Sequence, residues 1–95
     1  MKVEIKKRAQ NSLEKVVEWI IAQQFLDTGL KWLDDFEDTV EHMAKTGVKY
    51  AICKDESLAK YEYRCFTYKQ KWVVAYKITA TKITIYRFIL GSRLK

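Results

Sequence analysis

The hydrophobic pattern of this 95-residue chain changes its period once, and that change limits the fold more than any other feature. From Ala9 to Gln24, and again from Leu30 to Met43, apolar residues recur every three or four positions, which predicts two amphipathic helices. After Lys60 the chain becomes dense in aromatic and β-branched residues, which predicts strands. The three strands expected there are residues 61–66, 72–78 and 82–89. A helical first half and a sheet-forming second half therefore have to share one core.

The ends of the second helix carry their own signals. Asp27 or Thr28 is expected to cap its start, because their side-chain oxygens can accept hydrogen bonds from the free backbone amides of the first turn. Gly47 is expected to end it, since glycine tolerates the left-handed backbone that follows many helices. Residues 48–60 show no clean period, which predicts a loop with a short turn at residues 55–58.

One more strand completes the expected architecture. Val3 and Ile5 alternate with charged neighbours, as in a short strand with one buried face. The later strands are separated by gaps short enough for hairpins. We therefore predict an α+β fold in the order β-α-α-β-β-β, with a helix hairpin packed on a mostly antiparallel four-stranded sheet. At this length, residues 1–95 are expected to form a single domain.

Several classes of site and location are not indicated by the sequence. Cys53 and Cys65 are 12 positions apart with no second pair, so we expect free, buried or half-buried thiols rather than metal ligands. There is no phosphate-binding glycine loop and no nucleophile motif, and neither a metal nor a cofactor is expected. The apolar runs fall short of the roughly 18 residues that span a bilayer, so a cytoplasmic protein without membrane contact is expected.

Charge divides the chain as the hydrophobic pattern does. Residues 9–47 contain three Lys against eight Asp or Glu, whereas residues 60–95 contain nine Lys or Arg and a single acid. The basic residues of the second half are interleaved with tyrosines. Because cations contact phosphates and flat rings stack on unpaired bases, this mixture suits a nucleic acid. An acidic protein partner and an ordinary half-exposed sheet face are the alternatives.

The last strand contains an arginine in an unusual setting. Strict alternation of side chains places Arg87 on the same face as Ile83, Ile85 and Ile89. The other face would then carry Thr84, Tyr86, Phe88 and Leu90. An arginine among apolar neighbours is costly unless it finds a partner. Arg87 is therefore expected to be either part of a structural ion pair or a functional cation.

Segments along nearly the whole chain follow one known family pattern in order. They are Val3 to Ala9 followed by Leu13, Val16, Trp19 and Ile20; Trp32 to Phe36 with Val40 and Met43; Arg64 with Phe66; Val73 to Ile78; and Ile83 to Arg93. Together they resemble the ParE/RelE superfamily of bacterial toxin-antitoxin systems, and the ParE, or plasmid stabilisation, branch most of all. The chain departs from that pattern at Leu90, where many members carry His, at Ser92, where a basic residue is common, and at Lys6-Lys7, where Ser-Pro often starts the first helix.

The resemblance implies a function. A ParE-like chain would be the toxin component of a type II toxin-antitoxin system, inhibiting growth by binding DNA gyrase. A cognate antitoxin with an acidic, partly helical tail would neutralise it, and a homodimer is also compatible with the family. The residues expected to do the binding are Arg64, Lys71, Arg87 and Arg93, with Tyr76 in support.

Two alternatives remain within the resemblance. A RelE-like toxin would be an endoribonuclease that cuts mRNA on the ribosome, with Arg64, Lys71, Arg87 and Arg93 around the scissile phosphate. Such relatives tend to carry a Tyr near the C-terminus, and this chain has none after Arg93. A divergent, inactive member would keep the fold and act only as a binding module. A plain nucleic-acid-binding module is a third hypothesis.

Overall fold

The computed structural model describes residues 1–94 and contains every expected helix and strand. The elements are β1 (Lys2–Ile5), α1 (Lys7–Gln23), α2 (Leu26–Thr46), α3 (Glu56–Ala59), β2 (Arg64–Tyr68), β3 (Trp72–Ile78) and β4 (Lys82–Leu90), followed by a 3-10 turn at Gly91–Arg93. The turn expected at residues 55–58 is α3, where the Asp55 carboxylate accepts a hydrogen bond from the Ser57 amide over 2.9 Å. β2 begins later than predicted because the chain first turns at Glu62, which has a φ of 63°.

The sheet has four strands in the order β1-β4-β3-β2. β2 and β3 are antiparallel, as are β3 and β4, whereas β1 runs parallel to β4. The prediction of a mostly antiparallel sheet is confirmed, and the one parallel pair makes it mixed.

The helices follow the predicted pattern except at the start of α2. The capping position is Phe25, which makes no side-chain cap, so the expectation of a cap at Asp27 or Thr28 is wrong. Asp27 lies instead in the first turn, where its negative charge faces the positive end of the helix dipole. Gly47 ends α2 as expected, in the left-handed region at φ 67°. None of the helices in residues 1–94 is both long and apolar enough to cross a bilayer.

The main core lies between the helix hairpin and one face of the sheet. Its buried members include Leu13, Phe36, Val40 and Met43 from the helices and Phe66, Val74, Tyr76, Ile83, Ile85 and Phe88 from the strands. A smaller cluster covers part of the opposite face, where Cys53 and Leu58 of the loop pack on Ala75 of β3. Leu94 joins this second cluster from the tail. The loop between α2 and β2 therefore acts as a partial cover for the face that the helices leave open.

A β-bulge in β4 corrects the expected orientation of its side chains. Tyr76 pairs with Ile85 and Ala75 pairs with Arg87, so Tyr86 is an extra residue in β4. One extra residue shifts the alternation by one position. Ile85 points into the main core, whereas Arg87 pairs with a residue of the second cluster and Ile89 belongs to that cluster. The prediction that Arg87 shares a face with the isoleucines before it is therefore wrong.

The two cysteines form a disulfide, which corrects the prediction of free thiols. The Cα atoms of Cys53 and Cys65 are 4.9 Å apart. The Cys53 amide donates to the carbonyl of Tyr63 over 2.9 Å, and the Cys65 amide donates to the carbonyl of Ala51 over 3.2 Å. These bonds flank an isolated antiparallel bridge between Ile52 and Arg64. The loop thus returns alongside the start of β2, a path that the spacing of the cysteines in the sequence does not show.

Candidate functional site

A groove of about 570 Å³ lies between α1 and the C-terminal half of β4. Trp72 and Phe88 form part of its lining, with their rings stacked at 5.0 Å. Its charged lining residues are Arg8, Lys15, Lys71, Arg87 and Arg93, and no acidic residue among residues 1–94 joins them. We call this cleft, defined by those five cations, the basic groove.

The α1 wall of the basic groove is a single helical stripe. Arg8, Ser12, Lys15 and Trp19 line the groove and recur every three or four residues, so one side of the helix carries them all. Trp19 is 58% exposed at the far end of this stripe. Along roughly three turns of helix, the wall therefore presents two cations and then a large aromatic ring to solvent.

The opposite wall is a strand with an open edge. β1 pairs with β4 only from Lys82 to Ile85, and the Lys6 amide donates to the carbonyl of Ile85 over 2.9 Å. Beyond that bond, no strand within residues 1–94 pairs with residues 86–90 on this side of β4. Such an edge presents free backbone donors and acceptors, to which an extended peptide can bind. The basic groove thus combines positive charge, apolar surface and an unpaired strand edge.

Positive charge in the groove is not neutralised within the described part of the chain. The five cations of the groove are absent from the ion pairs formed by residues 1–94. The pKa of Arg87 is lowered, first by its partial burial and then by the nearby charge of Arg8. Both causes disfavour the charged guanidinium of Arg87 when no anion is near it. An anionic partner that approaches Arg8 and Arg87 is therefore favoured electrostatically.

Three of the five residues predicted to bind a partner meet at this groove. Lys71 lies in the turn just before β3, with its amine 5.6 Å from the ring centre of Trp72. Arg87 comes from the bulged part of β4, and Arg93 from the turn that follows. The amide of Gly91 donates to the carbonyl of Lys71 over 2.8 Å, which holds the tail beside the start of β3. The structure therefore brings Lys71, Arg87 and Arg93 together in one groove.

Arg64 and Tyr76 lie elsewhere and contact the chain itself. Arg64 donates through Nη1 to the carbonyl of Tyr50 over 2.7 Å. Tyr76 is fully buried, and its hydroxyl accepts from the Tyr50 amide over 2.9 Å and donates to the carbonyl of Val48 over 3.3 Å. Burial raises the pKa of Tyr76 above its ordinary value. Both side chains anchor the segment that follows α2, and neither lines the basic groove.

The helical half of the groove was not predicted from the sequence. Arg8, Lys15 and Trp19 were not among the predicted site residues, because the positive charge was assigned to the sheet. The signal that could have found them is their spacing, which puts them on one side of α1 and away from the buried Leu13 and Ala9.

Comparisons with known proteins agree with this fold. The sequence profile of one family, described as "ParE toxin of type II toxin-antitoxin system, parDE", matches residues 3–94. A solved structure described as "Chromosomal ParDE TA system from P. aeruginosa" contains a chain that superposes with a TM-score of 0.72. The two sequences are 13% identical, and the match covers 95% of each chain, so this similarity shows a shared fold. No curated protein matches the chain significantly.

Proposed function

This chain belongs to the ParE toxin family of type II toxin-antitoxin systems, and from that membership we propose that it arrests bacterial growth by binding DNA gyrase in the cytoplasm. We further propose that a cognate antitoxin neutralises it by filling the basic groove. The support for the gyrase target is the family membership. The antitoxin site rests on one observation, which is the joining of five cations, an apolar lining and an open strand edge in a single cleft.

The lining of the groove defines the chemistry of the antitoxin segment. Opposite Arg8, Lys15 and Arg87, carboxylates gain charge-assisted hydrogen bonds. Opposite Trp19 and Trp72, apolar side chains gain burial. A segment with both properties is acidic and amphipathic, and it is disordered until it binds, because its apolar residues are too few to form a core alone. We therefore expect an acidic C-terminal or N-terminal arm on the antitoxin.

Complementary charge also sets the kinetics that we expect for neutralisation. A positive groove attracts an acidic segment over a distance comparable to the Debye length, which raises the association rate at low salt. Added salt should slow association more than it speeds dissociation. A toxin that must be captured before it reaches its target is well served by fast association.

The experiment begins with the open reading frame adjacent to the toxin gene, whose product is co-expressed and purified with the toxin. A double variant, Lys71→Glu with Arg93→Glu, reverses two cations of the groove. Lys49→Glu with Lys54→Glu makes the same change in net charge at exposed lysines outside it. We expect the first variant to bind the antitoxin at least about tenfold more weakly, which corresponds to about 1.4 kcal/mol, and the second to bind like the parent. Equal weakening in both variants would show that only net charge matters and would remove the groove from the proposal.

Gyrase is tested separately with the purified toxin. We expect inhibition of supercoiling and accumulation of cleaved DNA, and relief of both when antitoxin is added. Unchanged gyrase activity together with codon-position cuts in translated mRNA would contradict the proposal and support the ribonuclease alternative. That alternative receives less support from the structure, because Arg64 lies apart from Lys71, Arg87 and Arg93 and is engaged with Tyr50.

A further inference from the structure

Three tyrosines form a stack on the sheet face that the helix hairpin leaves open. The ring centres of Tyr61 and Tyr63 are 5.4 Å apart with an interplanar angle of 29°. Those of Tyr63 and Tyr86 are 4.8 Å apart at 23°. We call these three residues the tyrosine stack. Its outer member, Tyr61, is 52% exposed, so the stack ends in an aromatic ring that is open to solvent.

Two irregularities of the backbone build this stack. Glu62, with a positive φ, turns the chain between α3 and β2 and joins Tyr61 to Tyr63. The bulge in β4 supplies Tyr86 as its extra residue, next to Arg87. Strand irregularities of this kind often re-aim side chains near functional sites. Tyr86 and Arg87 do not belong to the main core, so their side chains are available on the open face of the sheet.

Cations surround the tyrosine stack closely. The Lys77 amine lies 5.6 Å from the ring centre of Tyr63 and 5.9 Å from that of Tyr86, and the Lys60 amine lies 5.1 Å from that of Tyr61. An open cavity of about 460 Å³ adjoins the stack, and Lys6, Arg8, Lys60 and Arg87 line it beside the three rings. No acidic residue of the described chain is in that lining.

Most of these cations remain available. Lys6 shares the carboxylate of Glu4 with Lys82, at 3.3 Å and 2.9 Å. Arg8, Lys60, Lys77 and Arg87 make no ion pair with any carboxylate of residues 1–94. The four unpaired cations can contact an anion, and the three stacked rings can contact a flat ring. A ligand that carries both groups side by side therefore fits this site.

We propose that the tyrosine stack binds single-stranded nucleic acid, with a base on the ring of Tyr61 and neighbouring phosphates on the lysines and arginines around it. The rings of the stack already touch one another, so a base adds at the exposed end rather than between two tyrosines. A duplex keeps its base faces hidden, so it could use the cations and not the rings. An acidic peptide would gain from the cations, but it would continue the stack only where it places an aromatic side chain on Tyr61, whereas every base of a single strand offers a flat ring beside a phosphate.

This site goes beyond the proposed gyrase and antitoxin interactions. It adjoins the basic groove, because Arg8 and Arg87 line both cavities, but its three tyrosines do not line that groove. A ligand that occupies both arginines at one surface leaves them less available at the other. Nucleic acid and antitoxin are therefore expected to compete in part, even though their other contacts are separate.

The test uses a short fluorescently labelled oligothymidine strand and the purified full-length toxin, with binding followed by fluorescence anisotropy. Tyr61→Ala removes the exposed ring, and Tyr61→Trp keeps an aromatic surface. Phe25→Ala is the matched control, because Phe25 is a 75% exposed aromatic residue at the junction of α1 and α2. Both positions are exposed, so the three variants are expected to fold, and circular dichroism checks that they do.

We expect Tyr61→Ala to bind the strand about tenfold more weakly, and Tyr61→Trp and Phe25→Ala to bind like the parent. Lys77→Gln should weaken binding and reduce its dependence on salt concentration, because one phosphate contact is lost. Affinity for the duplex of the same strand should be lower than for the single strand. Unchanged binding by Tyr61→Ala, or equal affinity for the duplex, would overturn the proposal. Because the assay contains neither gyrase nor antitoxin, its failure leaves those proposals untouched, and their failure leaves this one untouched.

Discussion

The hydroxyl of Tyr76, fully buried on β3, accepts a hydrogen bond from the backbone amide of Tyr50 over 2.9 Å. The same hydroxyl donates to the carbonyl of Val48 over 3.3 Å. One side chain from the centre of the sheet therefore holds the chain where it leaves α2. The loop that follows is the one that carries Cys53 and α3 over the open face of the sheet.

Replacing Tyr76 by Phe removes this anchor and leaves the ring in place. The Tyr50 amide and the Val48 carbonyl then lose their partner, so we expect the free energy of unfolding to fall by about 1–3 kcal/mol. Urea denaturation followed by circular dichroism measures the change. Tyr61→Phe is the control, because its hydroxyl makes no hydrogen bond within residues 1–94, and it should lie within about 0.5 kcal/mol of the parent. Similar losses in both variants would show that the anchor adds nothing to stability.

The disulfide should stabilise the same loop through the unfolded state. A bridge between Cys53 and Cys65 closes a loop with a sequence separation of 12, and loops of that size restrict the unfolded chain by about 3 kcal/mol. We expect dithiothreitol to lower the free energy of unfolding of the oxidised protein by about 2–3 kcal/mol. The double variant Cys53→Ala with Cys65→Ala should show no response to the reductant. A parent protein that is equally stable with and without dithiothreitol would contradict this account.

The elements of the fold could be predicted because their signals are local. Apolar spacing along α1 and α2, and the aromatic and β-branched residues of β3 and β4, depend only on neighbours in sequence. The bulge at Tyr86 depends on how β4 meets β3, and no residue type near it marks the extra position. Once the bulge is missed, every side chain after it, including Arg87, is placed on the wrong face.

The candidate site was predicted in part for the same reason. Lys71 lies just before β3 and Arg93 in the tail, where basic residues reach the surface whatever the register. Arg87 lies within β4, where the bulge decides which face it takes. Tyr76 and Arg64 are paired directly across β2 and β3, and whether that pair faces the core is decided by tertiary packing. The disulfide depends on the path of a loop without period, so the sequence contained no signal for it.

The hairpin between β2 and β3 contains a strained turn. Lys69 and Gln70 both have positive φ, at 50° and 60°, and the Lys71 amide donates to the carbonyl of Tyr68 over 3.2 Å. This is the geometry of a type I′ turn, which favours Gly at its second central position. We expect Gln70→Gly to raise the free energy of unfolding by about 0.5–1 kcal/mol, the relief of strain exceeding the added entropy of the unfolded chain.

The control for that turn is a glycine at an ordinary position. Ala80 lies in the exposed turn between β3 and β4 and is not among the described non-glycine residues with positive φ. Ala80→Gly should therefore lower stability by a few tenths of a kcal/mol, the opposite sign. Chemical denaturation measures the free energy of unfolding of both variants. A Gln70→Gly variant that is less stable than the parent would show that the turn is not strained.

The alkaline limit of stability should depend on Tyr68. Burial, and then the charges of Asp35 and Asp38, raise the pKa of Tyr68 from 10.0 to about 12. Because the folded pKa is above the unfolded one, the contribution is complete below about pH 10 and is lost as the pH rises towards 12. We expect the parent to lose stability steeply in this range and Tyr68→Phe to lose less. Urea denaturation at a series of alkaline pH values compares the slopes, and identical slopes would exclude this role for Tyr68.

The two helices of the hairpin approach closely at Gly29, where a side chain would meet α1. A Cβ atom at this position would lie 2.5 Å from Cγ1 of Ile21 and 3.3 Å from the carbonyl oxygen of Val17. Gly29→Ala gains about 1 kcal/mol in helix propensity, whereas overpacking costs about 1–3 kcal/mol, so we expect a net loss of stability.

A double-mutant cycle separates the two effects at this contact. Ile21→Ala removes the atom that the new Cβ would strike, so Gly29→Ala should be neutral or stabilising in that background. The contact with the Val17 carbonyl oxygen is present in both backgrounds. It therefore limits how much of the gain in helix propensity appears as stability. The expected result is a favourable coupling of about 1 kcal/mol or more between the two substitutions, read from thermal or urea unfolding. Strict additivity would mean that the helices move apart to admit the methyl group, and then the close approach of α1 and α2 would not be what requires glycine here.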